Sequence, residues 1–134
     1  MIKITASIEI RGDKFNPIEF EKNVGIILND KISVGDIQSS GKYKHKPSPY
    51  GSASIEAPTS IAWNDRILYL AKLFAGKLSE FKKYGCDEAW FWIGYWHDGQ
   101  CNCVLSEDEL SWLAKTEIPY LFSVYEVDTL DDID

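Results

Sequence analysis

The stretch Ile2-Lys3-Ile4-Thr5-Ala6-Ser7-Ile8-Glu9-Ile10-Arg11 opens the chain, and its apolar residues alternate strictly with polar ones. Successive side chains of a β-strand point to opposite faces, so a period of two predicts a strand with one buried face. Gly12 and Asp13 follow and end the predicted strand. An amphipathic strand has to bury its apolar face against other elements, which the rest of the chain must supply.

Two later segments carry the signals of capped helix starts. Asn16 can cap a short helix with Pro17 in its first turn, and this helix is predicted to end near Gly25. Ser106 and Glu109 have the spacing of a capping box, which predicts a second helix. Its inner face is expected to hold Leu110, Leu113 and Ala114.

Residues 60–83 form the longest predicted helix. Lys82 and Lys83 suit the negative end of a helix dipole, and Gly85 is a stop signal. Gly76 weakens the middle by about 1 kcal/mol relative to alanine. The helix is predicted because apolar residues recur at spacings of three and four, at Ile67, Leu70, Ala71, Phe74, Leu78 and Phe81.

The remaining strands are predicted from apolar density and turn signals. Residues 89–97 read AWFWIGYWH, which favours a central strand covered at least partly on both sides. Asp98-Gly99 is a strong hairpin signal, which predicts that residues 100–105 fold back with Cys101 opposite Trp96. Further extended segments are expected at 26–37, 50–56 and 118–127, and a basic surface loop is expected at 38–49.

These elements predict an α+β fold. We expect a single domain over residues 1–128, with an antiparallel or mixed sheet of about five or six strands and two to three helices packed mainly on one face. A chain of 134 residues suits one domain, and 45% apolar residues suffice for a core. Residues 129–134 are expected to form an acidic C-terminal tail, because like charges repel and few apolar groups hold it down.

Composition excludes several classes of function. The net charge of −7 argues against sequence-independent binding to nucleic acid or to an anionic membrane. No stretch of apolar residues is long enough to span a membrane, and the N-terminus is too polar for a secretory signal. Three cysteines are too few for a disulfide scaffold, and an odd count suits a reducing compartment, which predicts a cytoplasmic protein.

The charge is distributed unevenly along the chain. Residues 1–83 contain 13 basic and 9 acidic side chains, whereas residues 84–134 contain 12 acidic ones and only Lys115 as a base. The electrostatic field of this uneven charge would steer a cationic partner toward the C-terminal third of the chain. The alternative reading is a solubilising acidic face without a partner.

Candidate chemistry is sparse. Cys101-x-Cys103, with Cys86 and His97 nearby, departs from the usual spacing of zinc ligands, and buried apolar cysteines are the better interpretation. The two histidines, His45 and His97, have no acidic partner at a fixed spacing, and no glycine-rich phosphate loop occurs. The sequence therefore predicts neither an enzyme nor a cofactor.

Aromatic residues leave two further hypotheses open. The run Lys42–Lys46 could grip a single strand of nucleic acid with bases stacked on Tyr43 and Tyr50, although a solvated loop suits the acidic chain better. Trp90, Trp92 and Trp96 belong to the core in one reading, and line a pocket for a small molecule or a peptide in another. A third class of function, which does not depend on these aromatic residues, is a structural subunit of a larger assembly.

Several short motifs of the chain occur together in a known pattern: Gly12-Asp13, Asn16-Pro17-Ile18-Glu19, Val24-Gly25-Ile26, Val34-Gly35-Asp36, Gly51 to Glu56, Leu105-Ser106-Glu107, Leu110, Leu113-Ala114, Ile118 and Tyr125. In these motifs the chain resembles a bacterial family of small domains of unknown function over most of residues 2–128. The resemblance implies a short α+β cytoplasmic domain and brings no catalytic residue. Proteins of this size, charge and domain type are similar to the immunity proteins encoded beside secreted bacterial toxins, such as those of contact-dependent growth inhibition.

The leading hypothesis is a non-enzymatic, acidic immunity protein that blocks the active site of a cationic toxin, such as a nuclease. It is expected to be a monomer or a weak dimer. The alternative is a sensor domain that binds a small molecule or a peptide in an aromatic sheet pocket. The residues expected to contact a toxin are Asp98, Glu107, Asp108, Trp112, Asp128, Asp131 and Asp132.

Overall fold

The computed structural model describes residues 2–132, apart from the side chain of Asp132, and confirms the α+β prediction. One five-stranded mixed sheet has the order β2-β3-β1-β4-β5. Its strands are β1 (Ile2–Gly12), β2 (Asn29–Ile32), β3 (Gly51–Glu56), β4 (Glu88–His97) and β5 (Tyr120–Glu126). The helices within the described range are α1 (Pro17–Val24), α2 (Arg66–Phe74), α3 (Leu78–Lys83) and α4 (Glu107–Thr116), with 3-10 turns at Trp63–Asp65 and Leu130–Asp132.

The opening strand lies in the middle of the sheet. β1 pairs antiparallel with β3 on one side and with β4 on the other, so that Ile8 lies opposite both Ile55 and Phe91. The alternation in β1 therefore places its isoleucines in the core, as predicted from the period of two. The core-facing residues of the three central strands are Ile4, Ile8, Ile10, Ala53, Ile55, Phe91, Ile93 and Tyr95.

The helices pack against this same face of the sheet. Phe81 of α3 stacks on Phe20 of α1 with ring centroids 4.3 Å apart, and on Phe74 of α2 at 4.9 Å. Leu113 of α4 joins the same apolar cluster and is buried. One continuous core therefore ties all four helices to one side of the sheet, which is the arrangement that the sequence predicts.

The predicted hairpin at Asp98-Gly99 is wrong. Residues 101–105 form no strand, and the place beside β4 is taken by β5, which runs parallel to it with Tyr95 opposite Val124. A strand has only two edges, and β1 occupies the other edge of β4. The segment 120–126 pairs with β4 because its seven residues are rich in the apolar and aromatic side chains that favour strands. The helix α4 provides the crossover that parallel pairing requires.

The predicted helix over residues 60–83 is interrupted, so the described part of the chain contains four helices. α2 ends at Phe74, and Ala75 already has an extended backbone with ψ 130°. Gly76 follows with φ +74°, a conformation that glycine adopts without a steric penalty, and the chain turns before α3 begins. The apolar spacing of three and four is kept because both helices bury the same side of the chain.

The inner face of α4 differs from the prediction. Leu113 is buried as expected, but Leu110 is 45% exposed and Ala114 is exposed as well. Trp112, which was expected to contact a partner, is half-buried and packs against the core. Thr116 completes the buried side of α4, because its hydroxyl donates to the Leu113 carbonyl at 2.6 Å and needs no solvent.

The last described residues fold back on the domain. Leu130, inside the segment predicted as an acidic tail, is only 2% exposed. Its carbonyl oxygen accepts a hydrogen bond of 2.7 Å from the Lys3 ammonium group. Lys3 lies opposite Trp96, on the face of the sheet away from the helices. An apolar side chain thus anchors the segment after β5.

Candidate functional site

The predicted partner-binding acids follow the carboxyl ends of two neighbouring parallel strands. His97 ends β4 opposite Glu126, which ends β5, and the Val127 N–H donates to the His97 carbonyl at 2.9 Å. Asp98 directly follows β4, Asp128 follows β5 after Val127, and both side chains are exposed. Because the carboxyl ends of parallel strands lie at the same end of a sheet, these acids lie at one end of the domain.

The crossover brings the first turn of α4 to the same end. Residues 98–106 lead from β4 into α4, and the Tyr95 hydroxyl holds this connection by donating to the Val104 carbonyl at 3.2 Å. A helix that joins two parallel strands starts near the carboxyl end of the first strand. Glu107 and Asp108 are exposed in that first turn.

We call this surface the acidic end and define it by the exposed side chains of Asp98, Glu107, Asp108, Glu126 and Asp128. Glu126 was missed as a candidate, although its position at the close of an apolar run was visible in the sequence. The single base of residues 84–134 is not part of this surface, because Lys115 lies in the last turn of α4. The acidic end therefore concentrates negative charge on exposed positions.

Asp131 and Asp132, two further residues predicted to contact a partner, follow Asp128 of the acidic end closely in the sequence. Asp131 is exposed in the 3-10 turn that begins at Leu130, whose carbonyl is bonded to Lys3 near the start of β1. Ile2 lies opposite His97, so the start of β1 is at the same end of the sheet as the carboxyl end of β4. The side chain of Asp132 lies outside the described residues.

The remaining predicted contact, Trp112, lies on α4 one turn after Asp108. Its indole ring lies 4.2 Å from the Lys115 ammonium group and 5.6 Å from that of Lys72 on α2. Cations over an aromatic face are attracted by the ring quadrupole. Trp112 is thus engaged within the domain, where it packs α4 against α2.

The acids at the start of α4 also stabilise the helix. The Ser106 hydroxyl accepts from the Glu109 N–H at 3.1 Å, and Glu109 accepts in return from the Ser106 N–H at 3.0 Å. Glu107 and Asp108 stand beside the unpaired N–H groups of the first turn, where the helix dipole favours negative charge. Glu109 is therefore a capping residue, whereas Glu107 and Asp108 project outward.

Two side chains near the acidic end, Tyr95 and Cys103, have pKa values raised above their ordinary range. Burial, followed by the nearby charge of Glu109, raises the pKa of Tyr95 to about 12. The Sγ atoms of Cys101 and Cys103 lie 3.8 Å apart, and burial together with the Cys101 thiol raises the pKa of Cys103. Raised pKa values keep a phenol and a thiol protonated, which makes them poor nucleophiles.

No group of three or more His, Cys, Asp or Glu side chains in the described part of the chain is arranged to hold a metal ion. Cys86 is buried apart from the other cysteines, and its thiol donates to the Glu88 carbonyl at 3.3 Å. Nδ1 of His97 contacts the Gly99 carbonyl oxygen. These contacts are those of structural side chains.

Three tryptophans lie on the sheet face away from the helices, each with a different neighbour. The Trp92 indole N–H donates to the Ser123 hydroxyl at 2.9 Å. The Trp96 indole N–H donates to the Thr5 hydroxyl at 3.0 Å, and its ring stacks on Tyr125. The indoles therefore lock neighbouring strands together.

The third ring, that of Trp90, is covered in a different way. The Arg11 guanidinium group lies 5.5 Å from it and also forms an ion pair with Glu88.

Trp92 borders a pocket of about 250 Å³ that Arg66 and Glu56 also line. The sensor hypothesis, which needs an aromatic pocket, stays a prediction with Trp92 as its contact.

The basic loop has internal structure. The Gln38 N–H donates to the Lys46 carbonyl at 3.1 Å, and the His45 N–H donates to the Gln38 carbonyl at 2.8 Å. Tyr43 and Tyr50, the proposed stacking platform, contact each other edge to face with centroids 6.1 Å apart. The tyrosines are therefore partners within the loop.

Glu9 on the tryptophan side of the sheet gives a pH prediction. Burial raises its pKa, and the charges of Asp30 and Glu56 add to the increase, while the Ser7 hydroxyl opposes it. A carboxyl with a raised pKa in the folded state costs stability when ionised, and this cost fades as the pH falls through the raised pKa. Glu9→Gln should therefore raise the urea midpoint of unfolding at pH 7.

This increase should shrink as the urea titration is repeated at lower pH, because the raised pKa makes Glu9 take up its proton in the folded state at a higher pH than in the unfolded chain. A variant that unfolds at lower urea than the wild type at pH 7 would contradict the prediction.

None of the helices in the described residues is both long and apolar enough to cross a membrane. Comparison of the chain with protein-family profiles, with curated proteins and with solved structures returned no match.

Proposed function

We propose that this chain is a non-enzymatic binding protein whose acidic end docks on a cationic surface of a partner protein. The proposal rests on one observation. Acids that are scattered in the sequence, at Asp98, at Glu107 and Asp108, and at Glu126 and Asp128, converge on one end of the sheet. Exposed like charges repel one another, and a complementary positive surface relieves that repulsion while it accelerates association.

The partner that we propose is a bacterial toxin, which this protein neutralises in a cytoplasmic setting by covering the active site. Nucleases carry positive charge because their substrates are polyphosphates, so a nuclease toxin suits an acidic inhibitor. The aromatic and capping residues around the acidic end hold rigid structures together, which keeps the carboxylates in place before binding. A preorganised surface loses less entropy on association.

The test is co-expression of this protein with the toxin encoded by the neighbouring gene. We expect wild-type protein to preserve growth, and a variant with Asp98→Asn, Glu107→Gln, Asp108→Asn and Asp128→Asn to protect poorly. Loss of a central, desolvated acid can cost about 2–5 kcal/mol of binding, whereas a rim acid changes mainly the association rate and its salt dependence.

The matched control carries Asp13→Asn, Glu19→Gln, Glu56→Gln and Asp65→Asn, which neutralise four exposed acids of residues 1–83. This control changes the net charge by the same amount and should protect as well as the wild type. Cells that die with wild-type protein present would refute the proposed function. Equal protection by both variants would remove the acidic end from it.

A further inference from the structure

The two outer strands of the sheet differ in how well their edges are protected. β2 has four residues, includes Asp30 and Lys31, and pairs with β3 in an irregular register. Short length, charge and irregularity are the usual means by which proteins discourage further strand pairing. β5 has seven residues in regular register with β4 and carries no charge before Glu126. Its outer edge lacks these protections.

The backbone groups at that edge follow from the hydrogen bonds on the inner side. Phe91 donates its N–H to the Pro119 carbonyl at 2.8 Å, and the Val127 N–H donates to the His97 carbonyl at 2.9 Å. In a parallel ladder the N–H and C=O of alternate residues face the same neighbour. Odd-numbered residues of β5 thus face β4, and the N–H and C=O groups of Tyr120, Phe122 and Val124 point outward.

The side chains of β5 are apolar and exposed on both faces. Tyr120, Phe122 and Val124 lie on the helix side, where the Phe122 ring is 5.7 Å from that of Tyr95. Leu121 is exposed on the opposite side, although Tyr125 beside it stacks on Trp96. The strand therefore offers apolar contact area on either side of its unprotected edge.

The charges around β5 select the kind of strand that can pair with it. Glu117 precedes the strand, Glu126 ends it and Asp128 follows, and all three are exposed. A second copy in antiparallel pairing would bring its own Glu126 toward Glu117, and like charges across a strand pair are destabilising. A strand flanked by arginine or lysine would meet opposite charges at both ends.

We propose that β5 binds an extended segment of a partner protein by strand addition, and that this segment has alternating apolar residues flanked by basic ones. The segment extends the sheet to a sixth strand and pairs its backbone with Tyr120, Phe122 and Val124. Its apolar side chains cover those of β5, and its basic ends meet Glu117 and Glu126. The identification of that partner with a cationic toxin rests on the proposed function.

The probe is a blocked seven-residue peptide in which valine alternates with threonine and arginine occupies both ends. Amide NMR spectra of the full chain should show shifts at Tyr120, Phe122 and Val124, and slower hydrogen exchange of these three N–H groups. A peptide with glutamate at both ends should bind at least about tenfold more weakly because of charge repulsion. A peptide methylated on alternate backbone nitrogens should not bind.

Val124→Lys is the critical variant and Val34→Lys is its control. Both valines are 53% exposed, so each variant adds one charge at an equally exposed position and should fold. Val124→Lys should weaken peptide binding about tenfold or more, because it places a cation on the edge that receives a cationic strand. Val34→Lys should bind as the wild type does.

Absence of shifts at β5, or equal binding of the arginine and glutamate peptides, would overturn the proposal. Shifts at β5 that depend on protein concentration alone would identify a second copy as the occupant and would also overturn it. The co-expression assay separates the two proposals. Protection that survives Val124→Lys but is lost in the acid-neutralised variant keeps the proposed function and rejects strand addition to β5.

Discussion

Phe81→Ala should lower the free energy of unfolding by about 3–5 kcal/mol, because it removes a fully buried ring and leaves a cavity. The Phe81 ring lies between those of Phe20 and Phe74, at centroid distances of 4.3 and 4.9 Å. It therefore joins α3 to both α1 and α2. Small domains have a total stability of about 5–15 kcal/mol, so this loss is a large fraction of the whole. Urea unfolding followed by tryptophan fluorescence measures the change.

The control is Ile27→Ala, which truncates an apolar side chain that is 77% exposed and should change stability by less than about 0.5 kcal/mol. Equal destabilisation by the two variants would show that Phe81 does not occupy the centre of the core. A steeper dependence of the unfolding free energy on urea concentration would indicate a change in the denatured state instead.

Gly51→Ala is expected to destabilise the domain by at least about 3 kcal/mol, through overlap with the main chain. A Cβ atom at this position would collide with the carbonyl oxygen of Phe15, a backbone atom that no rotamer change can move away. Gly51 starts β3 opposite Gly12 at the end of β1, where a Cβ would collide with the Gly85 carbonyl. Relief requires β3 and the loop before α1 to separate. Thermal unfolding checks this expectation.

Gly99→Ala is the matched control, because a Cβ there has no neighbour within 4 Å. Its melting temperature should stay close to that of the wild type. A Gly51→Ala protein with an unchanged melting temperature would contradict the close approach of β3 to Phe15.

Local signals in the sequence determine the elements that were predicted well. The period of two in β1 reflects one buried face, and every residue in the pattern reports the same orientation. The start of α1 was equally legible, because the Asn16 side chain accepts from the Glu19 N–H at 3.1 Å, as a cap requires. Such features depend on neighbours in the chain and can be inferred without the fold.

The partner of β4 could not be found in this way. Asp98-Gly99 suits a tight turn, but pairing depends on which segment competes best for the edge, and β5 lies more than twenty residues further along the chain. The break at Gly76 was also hidden, because both helices keep the apolar spacing of one long helix. Tertiary packing decided both outcomes.

The candidate site shows the same division. Asp98, Glu107, Asp108 and Asp128 were recognisable as acids, but their convergence depends on the parallel arrangement of β4 and β5. The surroundings of Trp112 could not be predicted either, because Lys72, which lies over its ring together with Lys115, comes from α2, forty residues earlier. The unprotected edge of β5 is a property of the sheet order, which no local pattern reveals.

The central place of β1 has a consequence for biosynthesis. Its residues emerge from the ribosome before those of the four other described strands, yet Ile2 can pair with β4 only after His97 has been translated. Until then, the backbone groups of β1 that face β4 have no strand to pair with. Since pairing between distant segments is slow and leaves nascent chains prone to aggregation, this segment is where a chaperone would first be needed.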